Sequence, residues 1–106
     1  SEIVNLSSLQ RQFKQVAGHT QLVILNACYS ADLAREISKL GMHVAGHNME
    51  ITDTTAIRFV EGLYTGLASG ADIPEAFSDG KAYANVHNPD ESHIIEIWKD
   101  GKKLDI

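Results

Sequence analysis

LVILNACYSADLAREISKLG, residues 22–41, joins a run of strand formers to a helix through the only cysteine of the chain. QLVILNA, 21–27, is largely apolar with two β-branched residues, the pattern of a strand buried on both faces inside a parallel sheet. Ser30 or Asp32 can cap a helix whose Leu33, Ile37 and Leu40 form one apolar stripe, stopped by Gly41. MHVAGH, 42–47, then reads as a second short strand. Strand, helix and strand at this spacing make a βαβ unit, for which a right-handed crossover is expected.

The flanking sequence extends the same class. Upstream, Ser7 or Ser8 can cap a helix with Leu9, Phe13 and Val16 on one face, ended by Gly18. Downstream, Asp53 or Thr54 opens a longer helix with Ile57, Val60, Leu63, Tyr64 and Leu67 at helical spacing, closed by Gly70. Pro74 sits in the first turn of a further helix, IPEAFSDGKAYANV. The final stretch, HIIEIWKDGKKLDI, partly alternates around Asp100-Gly101 and reads as a β-hairpin with a tight turn. The inventory is α/β, with two parallel strands, four helices and a terminal hairpin. Two parallel strands alone leave a sheet face and edge open, so the chain resembles the latter half of a doubly wound domain. A start at Ser1 fits removal of an initiator Met or excision from something longer.

Composition narrows the function classes. A 106-residue chain with 43% hydrophobic and 22% charged residues can bury one core without staples. One cysteine excludes an internal disulfide framework and points to a reducing, cytoplasmic setting. The net charge of −5 argues against nucleic acid, because Lys99, Lys102 and Lys103 form only a basic hairpin tip. No apolar run approaches the ~20 residues of a membrane span, and the N-terminus lacks a signal-peptide layout. Gly41, Gly46 and Gly62 lack the spacing of a dinucleotide loop, so no nucleotide cofactor is expected. His87 and His93 flank Asn88-Pro89-Asp90 without the spacing of a zinc site, so no metal is expected.

Cys28 remains the residue to explain. In open parallel sheets functional groups gather outside the carboxyl ends of the strands, which is where this thiol follows its strand. The helix after it would turn its positive N-terminal end toward the sulfur and favour the thiolate. The competing reading is a small buried filler, common for free cysteine. A receiver- or flavodoxin-like signalling domain would want an acidic strand end in its place.

LVILNACYSADLA resembles the strand-plus-nucleophile motif of caspase-like cysteine peptidases, in particular CHAT domains. GMHVAGHNMEITDTTAIRFVEGLYTGLASGADIPEAF is similar to the stretch that follows it in that family: a short strand, a polar loop ending in Asp, a long helix carrying Phe and Tyr, and an "EAF/EAL" helix, here Pro74-Glu75-Ala76-Phe77. The likeness covers about residues 20–85. It implies a caspase-like fold of three layers around a mostly parallel sheet, of which this chain would be the C-terminal, cysteine-bearing part. It also implies that Cys28 is the nucleophile of a cysteine endopeptidase acting on a polypeptide. By the family's loop position, Asp53 would line the substrate pocket; otherwise Asp53 is a helix cap. Asn26 would orient the cysteine loop or bond to backbone, and Ser30 would be a cap.

A thiol of pKa ~8.5 is only a few per cent ionised at neutral pH and needs a base. In the family the base is a His in a Ser-Gly-His-Gly motif before the cysteine strand, absent here, so the resemblance implies a base from outside this chain. His19 stands at the wrong end of a strand spanning about 20 Å. Within the chain, spacing offers His47, at the carboxyl end of the neighbouring strand on the same sheet edge, adjacent strands lying ~4.8 Å apart; its other reading is a hydrogen-bonded loop residue or pocket rim. The expected partner is an upstream caspase-like portion, or a second copy, completing the sheet. A catalytically inactive binding or assembly module of the same fold is the alternative to the enzyme.

Overall fold

Alternation along the strands sorts the core into two layers, one on each face of a single sheet. The computed structural model describes residues 21–25 and 31–106. Strand β1 (Leu22–Ile24) runs parallel to β2 (His43–His47), with Leu22 opposite His43 and Ile24 opposite Ala45. Leu25 N–H donates to Ala45 O at 2.9 Å and His43 N–H to Gln21 O at 2.9 Å, so the ladder runs past both ends of β1. On the other side of β2 lies β3 (Ile95–Lys99), antiparallel, and beyond it β4 (Lys102–Lys103), giving the order β1-β2-β3-β4.

The chain is therefore α/β, as its sequence implies. Its described sheet is mixed, however, and not mostly parallel: β1–β2 is the one parallel pairing among the described strands. The physical reason lies in β2. Its core is buried on both faces, so the N–H and C=O groups along its far edge need partners. The C-terminal hairpin supplies them by joining the sheet instead of standing apart from it.

Helix α1 (Ala31–Ser38) covers one face, where Ala34 and Ile37 meet Met42, Val44, Val23, Leu25 and Trp98. Helices α2 (Asp53–Ala68) and α3 (Ile73–His87) cover the other, packing Phe59, Leu63, Phe77 and Ala84 on Ala45, Ile95 and Ile97. The sheet is thus the middle of three layers. Val44 and Ala45 point to opposite sides, as the period of two requires.

The contact between α2 and α3 departs from the sequence expectation. Ile57 and Tyr64, expected on the inner stripe, are each 57% exposed. The buried face is Thr55, Phe59, Gly62, Leu63 and Gly66. Hydrophobic periodicity overlooks glycine, yet here glycines set the approach of the helices. A Cβ on Gly62 would lie 2.6 Å from Asp79 O, and one on Gly80 2.7 Å from Phe59 O. Backbone meets backbone at both points, and the large side chains are displaced outward.

The hairpin turn follows its chemistry. Asp100 (φ 53°) and Gly101 (φ 77°) both adopt positive φ, the requirement of a type I′ turn. The turn is clasped to the end of α1. Buried Ser38 accepts from Gly101 N–H at 2.9 Å and donates to Arg35 O at 2.7 Å, while Ser38 O accepts from Asp100 N–H at 3.1 Å. Lys99 Nζ donates to Gly41 O.

Candidate active site

His47 ends β2 and projects to the α2 side of the sheet, as Ala45 does two residues earlier. It is 8% exposed and stands beside a small apolar pocket lined by Ile24, Ala45, Ile51, Ala56, Phe59 and Ile95. Water-accessible space in that pocket is about 10 Å³, close to the minimum one water molecule needs.

A backbone neighbour sets the state of one ring nitrogen of His47. Nδ1 lies 2.7 Å from Met49 O. A carbonyl only accepts, so Nδ1 carries the proton and donates. In the neutral ring Nε2 is then the basic nitrogen. This is the arrangement by which a backbone carbonyl selects the tautomer of a histidine that accepts protons or binds metal through its other nitrogen.

The loop that supplies this carbonyl, residues 48–52, is tied down at both ends. Asn48 Nδ2 donates to Glu96 Oε1 at 2.6 Å, and Asn48 N–H to Ile94 O at 3.3 Å. At the other end Thr52 caps α2, its hydroxyl accepting from Thr55 N–H. Thr52 also donates twice to Glu91 Oε1, from its backbone N–H at 2.9 Å and its hydroxyl at 3.1 Å. These bonds from Thr52, backbone first, with Thr55 adding, hold the Glu91 carboxyl below its ordinary range. The connections at this edge, 48–52 and 88–94, carry Glu50, Asp90 and Glu91 and no Lys or Arg.

Of the residues picked from sequence, Cys28, Asn26 and Ser30 lie outside the described residues, as does the helix expected after Ser7 or Ser8. Asp53 is exposed in the first turn of α2 and does not line the His47 pocket; the cap assigned to it belongs to Thr52. Thr52 takes that role because its backbone is extended (φ −71°, ψ 153°) and its hydroxyl reaches into the first turn. Asp53, one position later, complements the positive end of the helix.

His43 begins β2, four residues and so roughly 13 Å from His47. Burial lowers its pKa, with Lys99 adding to the effect. His87 and His93 are exposed. Among the described residues no group of three or more His, Cys, Asp or Glu converges as a metal would require, and no helix is long and apolar enough to cross a membrane.

Met49 O, Glu91 and Glu96 escape a sequence reading. A backbone acceptor has no residue signature, and Glu91 meets a partner 39 positions away. Comparison with protein-family models and with curated proteins finds no match to this chain.

Proposed function

We propose that this chain is the cysteine-bearing part of a caspase-like, CHAT-type cysteine endopeptidase, with Cys28 as nucleophile. The reading rests on the motif around Cys28, and the observation that carries it is the parallel register of β1 and β2. Both strands run out at the same edge of the sheet, and His47 stands there with its proton on Nδ1. Cys28 follows Leu25 by three positions, a reach of at most ~11 Å along the chain.

In the proposed reaction a histidine removes the thiol proton and the Cys28 thiolate attacks a peptide carbonyl. The backbone N–H of Cys28 helps hold the oxyanion. The imidazolium then returns its proton to the leaving amine, and water hydrolyses the acyl-enzyme with the same histidine as base. His47 Nε2 is the in-chain candidate for that base; the resemblance supplies another from an upstream portion. That portion, or a second copy, would pair with β1, which ends the strand order among the described residues. The cytoplasm is the setting proposed, since a lone thiol stays reduced there.

The competing reading, a binding or assembly module of the same fold, is favoured by the smallness of the pocket beside His47. A peptide library incubated with the wild type, C28S and H47Q, then sequenced for new N-termini by mass spectrometry, separates these readings. Loss of cleavage in both variants assigns the base to His47, and loss in C28S alone assigns it upstream. New termini that persist in C28S, or none from the wild type joined to the upstream portion that would supply the base, overturn the endopeptidase.

A further inference from the structure

We propose that Glu91 is a positioning residue: by holding Thr52 it fixes the 48–52 loop so that Met49 O keeps the His47 imidazole protonated at Nδ1. The loop between β2 and α2 is short, and its two ends are gripped by carboxylates, one from β3 and one from the segment that leads from α3 into it. Glu96 accepts from Asn48 at one end and Glu91 accepts from the N–H and hydroxyl of Thr52 at the other. Met49 lies between those grips, and its carbonyl is the group 2.7 Å from Nδ1.

Thr52 is the point where the loop becomes helix. Its hydroxyl is 2.9 Å from that of Thr55, which is buried against the core, so the Glu91 contact also ties the loop end to a fixed part of α2. A loop of this length has few conformations once both ends are held. Release of one end lets the peptide at Met49 rotate, and the ring then loses its acceptor at Nδ1. Glu91 touches neither the ring nor Met49 in any hydrogen bond described above; its effect passes through Thr52.

The readout is the His47 ring itself, so the test does not depend on Cys28 being a nucleophile, and a failed peptidase assay would leave it intact. Long-range proton–nitrogen correlation spectra distinguish the two neutral tautomers. In the wild type at a pH where the ring is neutral, Nδ1 should carry the proton. E91A should raise the Nε2–H form by about two- to tenfold, the range set by the net value of one hydrogen bond. E91Q retains an oxygen that accepts from Thr52 and should restore the wild-type spectrum. E91D keeps the charge but withdraws it by one methylene; it should behave like E91A, and it serves if E91A does not fold. Unchanged tautomers in a folded E91A or E91D variant, or a wild-type ring protonated at Nε2, would overturn the proposal.

Discussion

Replacing Gly80 with alanine sets helix propensity against packing, and the geometry decides the sign. In the middle of a helix alanine is favoured over glycine by about 1 kcal/mol. At Gly80 the added Cβ would lie 2.7 Å from Phe59 O and 2.8 and 2.9 Å from two Phe59 ring carbons. Neither neighbour can give way cheaply. The carbonyl belongs to α2, and the ring is 4% exposed, held edge-on by Phe77 at 5.5 Å and 72°. Overpacking of this kind costs about 1–3 kcal/mol, and contact with backbone places it in the upper half of that range. Subtracting the propensity gain leaves a net loss of about 1–2 kcal/mol. For a domain near 100 residues that lowers Tm by roughly 4–15 °C.

Calorimetry and urea unfolding should both register the loss, with an unchanged urea slope. Ser78→Ala, exposed on the same helix, should stay within about 0.5 kcal/mol of wild type. A G80A protein as stable as wild type, or more stable, would refute the close approach of α2 and α3. Since Phe59 also lines the His47 pocket, G80A should shift the His47 ring resonances as well.

Ser38→Ala should cost about 1–3 kcal/mol, because it strips the acceptor from Gly101 N–H and unclasps the β3–β4 turn from α1; a change within error by denaturant titration would contradict this. Glu91 should make stability fall in acid. Its folded pKa lies below the ordinary 4.5, so its contribution is complete above that value and is lost as pH drops through the depressed folded one. The stability gap between wild type and E91Q, followed by urea titration, should therefore narrow below about pH 4.5, and a pH-independent gap would count against the Thr52–Glu91 bonds.

Much of the fold could be read from local sequence. The run from Leu22 to His47 showed the order strand, helix and strand directly, because apolar spacing distinguishes the elements and Gly41 follows the end of the helix. Asp100-Gly101, between partly alternating apolar residues, announced the turn as a dipeptide that tolerates positive φ twice. What failed was non-local. Nothing near Ile95 says that its strand will pair with β2, 48 positions back at His47. The inner face of α2 is legible at Val60, Leu63 and Leu67 but not at Ile57 and Tyr64, because Gly62 and Gly66 carry no apolar signal although their missing side chains let α3 approach.

The candidate site divides in the same way. His47 was legible from its place at a strand end. Its tautomer was not, since that depends on a carbonyl two residues on and on a loop held by Glu91 and Glu96 from across the chain.

The rate at which iodoacetamide alkylates Cys28, followed against pH by mass spectrometry, reaches the central proposal most directly. An activated nucleophile should react faster than free cysteine near neutral pH, with a midpoint below the ~8.5 of an unperturbed thiol. A midpoint at or above that value, with labelling no faster than the free amino acid, would mean that Cys28 is a structural residue and that no thiol chemistry occurs at this edge.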